Sequence, residues 1–422
     1  MTGNETLAQD DKGGTLTQDD KGRALHPGTP ATMSGMNAHA SHADSPDGAT
    51  SAITPDNDAA ATGDAHADGT AARHSSRLPY VAAFPQALGT GIIVTCERPV
   101  PECLRRRMAN LIEEFEGAFS RFRTDSLVGR IASDAHGGTV TFPSGLGAEP
   151  LFALYDRLYA ASDGAVDPLV GEELTRLGYG ADMAFRLRSG KTPETASPPS
   201  SAFIKSSGKA GAAYDTYADG LQKRPTWRDI THAGRTLTVD RPMRLDFGAA
   251  GKGMMVDLLA NLLEHELPDA AYVVDAGGDL RVRGLDHADP LTIAMEDPDD
   301  DARAVGTLRI TDGSLCASAP SRRHWRIRSG DALREVHHLL NAVDGRPAND
   351  IKATWVFVPR SGITSPTALA DGLATALFVA DAGSLAAAFP REDGAPAFAC
   401  AMLDAGRNAA ASANFPGGFF TA

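Results

Sequence analysis

The sequence lacks an excess of basic charge. Its 40 lysines and arginines are outnumbered by 54 aspartates and glutamates, which gives a net charge of −14 and an isoelectric point near 5.3. Proteins that bind nucleic acid or an anionic membrane surface usually present a basic patch, because phosphate groups dominate both partners. We therefore expect neither nucleic acid nor an anionic membrane surface as a partner.

Long apolar runs are also missing. No stretch approaches the ~18 consecutive apolar residues of a membrane-spanning helix. The N-terminus, MTGNETLAQDDKGG, is acidic and has no apolar segment of the kind that a secretory signal needs. These absences predict a cytoplasmic protein without a transmembrane segment.

Cysteine is scarce, at four residues. Cys96 and Cys103 are too far apart for a CxxC pair, and no histidine-rich zinc pattern accompanies Cys316 or Cys400. We expect four small apolar side chains in a reducing compartment.

Large apolar residues are almost absent from residues 1–76, so burial could not offset the entropy lost if this segment became ordered. We predict a disordered low-complexity tail at 1–76 and one large folded domain at 77–422. A second break in periodicity, rich in Pro, Ser, Lys and Gly, predicts a flexible insertion at about 188–225. The chain as a whole is 42% hydrophobic, which is ample for a large core.

The most informative stretch is 244–284, RLDFGAAGKGMMVDLLANLLEHELPDAAYVVDAGGDLRVRG. A short apolar run that starts at Pro242 and ends at Phe247 predicts a strand, and the glycines that follow predict a turn. Apolar residues at helical spacing from Met255 predict a helix, and the run from Ala271 to Val274 predicts another strand. The stretch is therefore predicted to form a β–α–β unit.

Three charges interrupt this unit where packing alone needs none: Asp246, Lys252 and Asp279. Glycine N–H groups at a helix start can bind an anion, and Lys252 would add a point charge. The spacing GxxGxG matches neither the dinucleotide fingerprint nor the P-loop, in which Ser or Thr follows the lysine. The residues alone leave two interpretations open, a phosphate or carboxylate site and a tight turn with a surface lysine.

A second candidate site lies in SPTALADGLATALFVAD, residues 365–381. Ser365 is predicted to cap a helix and Pro366 to occupy its first position. The helix is apolar nearly all round and should be buried, yet Asp371 and Thr375 lie one turn apart on one face. Such a pair of oxygen ligands suits Mg²⁺. A carboxylate hydrogen-bonded to a neighbouring loop is the alternative.

Several stretches, taken in order, resemble the FAD:protein FMN transferases, which form the ApbE family. RLDFGAAGKGMMVD is similar to the family's LDLGGIAKGYAVD, and VVDAGGDLRVRG to its LVNLGGDIRxxG. The other stretches are LGTGIIV, FSRFRTDS, GAVDPLVGEELTRLGYG, GSLCASAPSRRHWRI, VHHLLNAVDGRP and ALADGLATAL. The resemblance covers about residues 88–381. It implies an α+β fold, in which mixed or antiparallel sheets pack against helices in a single large domain.

The resemblance also implies a function. Family members use Mg²⁺ to cleave the pyrophosphate of FAD, attach FMN through a phosphoester to Thr or Ser of an acceptor protein of flavin-based electron transfer, and release AMP. The implied metal ligands are the side chains of Asp371 and Thr375 and main-chain oxygens of Ala249 and Ala368. The implied catalytic residues are Lys252, Asp371 and His338, the last as an acid or base. The implied FAD contacts are Leu88, Phe122, Ala165, Val166, Asp167, Asp246, Lys252, Leu339 and Leu340.

One departure from the family bears on activity. The family's HIIDPRTGxP reads HHLLNAVDGRP here, so Asn341 stands where the family has Asp. This departure motivates one alternative, an FAD-binding or carrier protein without transfer activity. A further alternative is an FAD pyrophosphatase that releases free FMN. The tail segment DGATSAI, residues 47–53, loosely resembles the family's acceptor motif, which makes Thr50 a candidate for self-modification.

Overall fold

The computed structural model describes residues 77–180, 225–329, 332–360 and 362–421. The predicted tail at 1–76, Thr50 within it, and nearly all of the predicted insertion at 188–225 lie outside these ranges.

An antiparallel sheet of eight strands forms the centre of the described structure, in the order β1-β2-β6-β7-β10-β15-β16-β17. The strands of this sheet are β1 (Tyr80–Phe84), β2 (Ile92–Cys96), β6 (Tyr272–Asp275), β7 (Asp279–Arg283), β10 (Gly313–Ser318), β15 (Ile351–Pro359), β16 (Ala399–Asp404) and β17 (Ala409–Ala411). Successive side chains point to opposite faces of a strand. Val273 and Val274 accordingly belong to two different hydrophobic cores, one on each side of the sheet.

Helices cover one face of this sheet and form the larger core with it. The helices of the described structure are α1 (Glu102–Phe119), α2 (Leu127–Ser133), α3 (Ala148–Ala161), α4 (Gly171–Arg176), α5 (Gly251–Glu266), α6 (Pro366–Ala376) and α7 (Ala382–Ala388). All but α4 contribute to the larger core, and Leu174 of α4 belongs to a third, smaller core. Helix α1 has the bounds that its apolar spacing predicts, since Leu104, Met108, Ile112 and Phe115 are buried on one side. No described helix combines the length and the apolar character needed to cross a bilayer.

A three-stranded sheet, β18-β9-β8, covers part of the opposite face and forms the second core. Its strands are β8 (Leu291–Asp297), β9 (Asp300–Ile310) and β18 (Gly417–Phe419). The remaining strands are β3 (Gly138–Thr141), β4 (Thr231–Ala233), β5 (Thr236–Val239), β11 (His324–Ser329), β12 (Ala332–His337), β13 (Leu340–Asn341) and β14 (Arg346–Pro347). The expected α+β class is confirmed, and the strand pairs found among the described residues are antiparallel.

The predicted strand at 242–247 is wrong. Its side chains do alternate, with Met243, Leu245 and Phe247 buried. Its backbone forms no ladder: Met243 N donates to Ile131 O in α2, and Asp246 N donates to Pro168 O in the helical turn that follows Asp167. Period-2 burial therefore arose from an extended segment between two elements, and α5 and β6 follow it as predicted.

The predicted cap at Ser365 is also wrong. Its side chain makes no capping hydrogen bond to α6. The carboxylate of Asp257, in the middle of α5, accepts the N–H groups of Thr367 and Ala368 instead. The cap comes from a distant helix, which local sequence rules do not consider.

Candidate active site

Helices α5 and α6 bring a lysine and two aspartates together in the interior. Lys252 Nζ lies 3.1 Å from Asp371 Oδ1 and 2.5 Å from Asp279 Oδ2. Asp371 lies in the middle of α6, and Asp279 begins β7 after the turn at residues 277–278. Both aspartate side chains are 2% exposed, whereas that of Lys252 is 29% exposed. We call Lys252, Asp279 and Asp371 the buried trio.

A close approach of the two helices makes the buried trio possible. Gly253 N donates to Asp371 Oδ2 at 3.0 Å. A β-carbon at Gly253 would lie 2.3 Å from the carbonyl oxygen of Thr367, so no larger residue fits without moving a helix. The last glycine of the GxxGxG turn thus has a packing role that is independent of any ligand.

When both carboxylates are ionised, the buried trio carries one negative charge in excess, since two carboxylates face one ammonium group. Burial and the charge of Asp279 raise the pKa of Asp371, and Lys252 with the Gly253 N–H only partly opposes them. Burial by itself would lower the pKa of Lys252, but the two carboxylates outweigh it and raise that pKa. Lys252 therefore stays charged, and the site favours an additional cation.

This geometry bears on both sequence alternatives. Lys252 is not a surface lysine, yet its charge is already paired with carboxylates before any anion arrives. Asp371 also has the hydrogen-bond partners that a buried carboxylate needs without a metal.

The implied magnesium ligands nevertheless fit a hard cation. The Asp371 carboxylate, the Thr375 hydroxyl and the carbonyls of Ala249 and Ala368 are all oxygen donors, the type that Mg²⁺ prefers. A divalent cation would also neutralise the excess negative charge of the buried trio. Within the described ranges, no three His, Cys, Asp or Glu side chains are grouped so that they could hold a metal. Main-chain oxygens would therefore have to complete the site.

A second cluster forms around Asp246. The Asp246 carboxylate accepts from Arg121 Nε and, at 2.6 Å, from Gly248 N. The Arg121 guanidinium lies 4.2 Å from the ring centroid of Phe122 and 4.7 Å from that of Tyr179. In the FSRFRTDS segment, Arg121 and Phe122 are therefore packed beside Asp246, a predicted FAD contact.

His338 lies between β12 and β13. Its Nδ1 is 3.2 Å from the carbonyl oxygen of Arg323, which can only accept, so Nδ1 carries the proton and Nε2 the lone pair. Burial and the positive charge of Arg323 lower the pKa of His338 to about 3. The charge of Lys252 makes the smallest contribution to this lowering.

Asp167 and the segment before it form one wall of a separate cleft. Asp167 is buried, and its carboxylate accepts from Leu169 N at 2.8 Å and from Trp227 N at 3.1 Å, so it caps the turn that follows. Ala342 N donates to Ala165 O at 2.9 Å and joins this wall to the segment after Leu340. The cleft encloses about 410 Å³ and is lined by Tyr159, Asp163, Gly164, Asp167, Glu173, Arg176, Thr226, Ala342, Val343, Asp344 and Gly345.

The remaining predicted FAD contacts lie near the cleft and near the buried trio. Val166, Leu339 and Leu340 are buried beside the cleft walls. Leu88 adopts φ of +52° in a turn, and its N–H donates to the Glu116 carboxylate in α1. Thr90 in the same turn packs against Gly277, so this turn borders the turn at residues 277–278 that precedes Asp279.

Asn341 does not orient the candidate histidine. Its Oδ1 accepts from Val343 N at 2.9 Å, and its carbonyl oxygen accepts from Gly345 N at 2.8 Å. An Asp side chain would accept the same turn hydrogen bond. The departure from the family at this position therefore preserves the local turn.

Sequence reasoning identified Asp279 only as an inserted charge, and it missed Arg121, Tyr155 and Asp257. Burial raises the pKa of the Tyr155 hydroxyl, with further contributions from the charges of Asp246 and Asp371, so this group lies close to the site. Tyr155 reads in the sequence as one more apolar position of α3. Asp257 is the last residue of the RLDFGAAGKGMMVD stretch, and its place in that family motif was its only signal in the sequence.

Comparison with known proteins gives the same picture. The model of the ApbE family matches residues 88–398. The chain belongs to the ApbE family. The resemblance read from the sequence motifs is thereby confirmed.

Two curated ApbE-family relatives are both named FAD:protein FMN transferase. The one from Treponema pallidum is 32% identical over 148 residues, 32% of this chain and 38% of that protein. The one from Salmonella typhimurium is 31% identical over 227 residues, 53% of this chain and 56% of that protein. The chain thus matches about two fifths and just over half of the length of these relatives.

Solved ApbE structures share the fold. The ApbE protein of Thermotoga maritima superposes with a TM-score of 0.61 at 19% identity, over 79% of this chain and 97% of that one. The flavin transferase ApbE of Vibrio cholerae gives 0.58 at 21% identity, with the same coverage. At these identities the likeness shows the fold, and the positions of the candidate site residues come from this chain's own geometry.

Proposed function

We propose that this chain is a Mg²⁺-dependent FAD:protein FMN transferase. It cleaves the pyrophosphate of FAD, attaches FMN through a phosphoester to Thr or Ser of an acceptor protein, and releases AMP. Membership of the ApbE family supports the proposal, as do the names of the two curated relatives. The observation that carries it is the buried trio, with its excess negative charge, beside the oxygen donors of α6.

Transfer of a phosphoryl-linked group depends mostly on positioning and on neutralising charge. Mg²⁺, when bound, would supply a Lewis acid that polarises the pyrophosphate. Asp371 and Thr375, with the carbonyls of Ala249 and Ala368, would hold it. Lys252 stabilises both carboxylates of the buried trio, and its side chain remains partly accessible to substrate.

The acceptor hydroxyl must lose its proton when its oxygen bonds to the FMN phosphorus and the bond to the AMP phosphate breaks. His338 is neutral and carries its lone pair on Nε2, so it accepts this proton. Its low pKa makes it a weak base in the free protein. The negative charge of bound FAD raises that pKa and strengthens the base when substrate is present.

FAD would lie against both the cluster around Asp246 and the cleft beside Asp167. Asp246, Arg121 and Phe122 present a carboxylate, a cation and an aromatic ring at one end. The cleft beside Asp167 has room for one end of the dinucleotide. Leu339 and Leu340 would pack against it on the same side.

The decisive experiment incubates the protein with FAD, Mg²⁺ and an acceptor protein of a flavin-based electron-transfer complex. We expect release of AMP and flavin fluorescence on the denatured acceptor, both lost in Asp371→Ala. Wild-type protein that yields neither product would refute the proposal.

The same assay separates the two alternatives. Free FMN with AMP and no covalent flavin would indicate an FAD pyrophosphatase. Tight FAD binding without turnover, not restored by Asn341→Asp, would indicate a carrier. The turn hydrogen bond that Asn341 keeps argues against this second alternative. In-gel fluorescence of the full chain without an acceptor tests Thr50.

A further inference from the structure

The two helices of the candidate site cap each other. Asp371 of α6 accepts from Gly253 N, in the first turn of α5, at 3.0 Å. Asp257 of α5 accepts from Thr367 N at 3.0 Å and Ala368 N at 2.9 Å, in the first turn of α6. Each helix thus supplies a buried carboxylate to the other helix. That carboxylate accepts first-turn N–H groups, which have no acceptor within their own helix.

A series of hydrogen-bonded, buried polar side chains supports the turn that Asp257 caps. The Thr367 hydroxyl lies 2.8 Å from Ser314 Oγ, and Arg281 Nη1 donates to Ser314 Oγ at 3.2 Å. Asp257 is 3% exposed and Arg281 9% exposed. Burial raises the pKa of Asp257 to about 6, and the hydrogen bonds from Thr367 and Ala368 and, to the smallest extent, the charge of Arg281 oppose that rise. The hydrogen-bonded series joins strands β7 and β10 to the first turn of α6.

This arrangement fixes α6 at the end that matters for the site. If Ala368 moved, its N–H would lose the hydrogen bond to Asp257. The carbonyl of the same residue is an implied metal ligand. Asp371 follows one turn later. A shift of the first turn of α6 would therefore move Ala368 and Asp371 together, away from Lys252 and Gly253.

We propose that Asp257 is a positioning residue for the metal-binding end of α6. This inference rests on the proposed function, since the ligand that benefits is the Mg²⁺ of that function. Asp257 touches neither substrate nor metal. It acts by holding the first turn of α6, so that the oxygen donors of Ala368, Asp371 and Thr375 keep their mutual arrangement.

Asp257→Asn tests this role, because it keeps the shape of the side chain and removes one of the two acceptor oxygens. Mn²⁺ alone serves as the probe, with the free ion followed by electron paramagnetic resonance. We expect the Mn²⁺ dissociation constant, and the Mg²⁺ concentration for half-maximal AMP release, to rise by about 10- to 100-fold. The rate at saturating Mg²⁺ should change far less.

A matched control is Asp381→Asn, since Asp381 caps α7 by accepting from Ser384 N at 2.8 Å and lies outside the site. It should bind Mn²⁺ as wild type does. Ser314→Ala is the milder variant if Asp257→Asn does not fold, and it should weaken Mn²⁺ binding in the same direction by a smaller factor.

The outcomes are distinguishable. Wild-type Mn²⁺ affinity in folded Asp257→Asn, or in Ser314→Ala if only that variant folds, would overturn the inference. So would equal weakening in Asp381→Asn, which would indicate a general loss of helix stability. Wild-type protein that binds Mn²⁺ but transfers no flavin would overturn the proposed function alone, and wild-type protein that binds no Mn²⁺ would overturn the inference.

Discussion

The buried trio and an exposed cluster at the β8–β9 turn use the same residue types with opposite electrostatic results. In the exposed cluster, Arg407 lies 2.7 Å from Asp297 and 2.6 Å from Asp299, and Lys352 Nζ lies 2.5 Å from Asp299. These neighbours lower the pKa of both aspartates, with Arg407 the main cause for Asp297 and Lys352 for Asp299. The pKa of Asp371 is raised instead.

Two differences account for the contrast. The exposed cluster has two cations for two carboxylates, whereas the buried trio has one. Burial also raises the pKa of the exposed cluster's aspartates less than their cations lower it, whereas burial is the largest cause at Asp371. The exposed cluster therefore needs no further ligand, and its ion pairs join the acidic turn between β8 and β9 to Lys352 and Arg407. The buried trio is left with a charge that a cation can neutralise.

The largest expected effect comes from making one substitution in both regions. Lys252→Met leaves two buried carboxylates without a cation and should lower the free energy of unfolding by about 3–5 kcal/mol. Lys352→Met at the exposed cluster should lower it by at most about 1 kcal/mol. Urea unfolding of both variants measures the difference, and equal losses would remove the distinction between the regions.

Activity should respond in the same order. Asp371→Ala removes an implied metal ligand and should reduce AMP release by about 10³-fold, comparable to the loss of a key electrostatic group in an active site. Asp299→Ala should leave the rate close to wild type, because the exposed cluster does not contact the candidate site. Initial rates at fixed FAD and Mg²⁺ give the comparison, which a strong effect of Asp299→Ala would contradict.

Stability should depend on pH with opposite sign in the two regions. The pKa of Asp371 is raised on folding, so the metal-free protein should lose stability as pH rises from about 4 through the folded-state pKa. Relative to wild type, Asp371→Asn should gain at most about 1.4 kcal/mol for each pH unit in that window. Asp299 has a lowered pKa, so its stabilising contribution should be present above about pH 4 and disappear as the pH falls further.

Urea unfolding in EDTA between pH 3 and 8 checks both signs. Parallel pH profiles of wild type and Asp371→Asn would show that the buried carboxylate titrates as it does in the unfolded chain.

The smallest effect should be that of salt. Raising NaCl from 0.05 to about 1 M shortens the screening length from roughly 14 to about 3 Å. The coupling between Lys352 and Asp299 in a double-mutant cycle should largely vanish, because both groups face solvent. The stability loss in Lys252→Met should change little, and a loss that salt abolishes would indicate that the buried trio is open to solvent.

Helices and strands with a clear period were predictable from the sequence. Helix α1 has the predicted bounds because its apolar stripe is regular, and α6 is buried because it is apolar nearly all round. The segment at 242–247 misled because burial alternates in any extended chain, whereas a strand also requires a partner. Ser365 misled because capping rules consider only neighbours in sequence.

The candidate site was partly predictable for a similar reason. Asp371, Thr375 and Lys252 stand out because charged or polar residues interrupt apolar or glycine-rich runs. Tyr155 and Arg121 do not, since each fits the pattern of its own helix or helix end. Their contribution depends on which elements pack against them, and nothing local encodes that.

The sequence by itself determined the family, the α+β class and the identity of the charged residues at the centre of the chain. Those properties follow from local spacing and from the ordered set of motifs. Only the tertiary structure decided that Lys252 pairs with two carboxylates at once, that Asp257 caps a helix more than a hundred residues away, and that burial raises the pKa of Asp371. Burial and long-range hydrogen bonding control these properties, and both exist only once α5 and α6 are packed together.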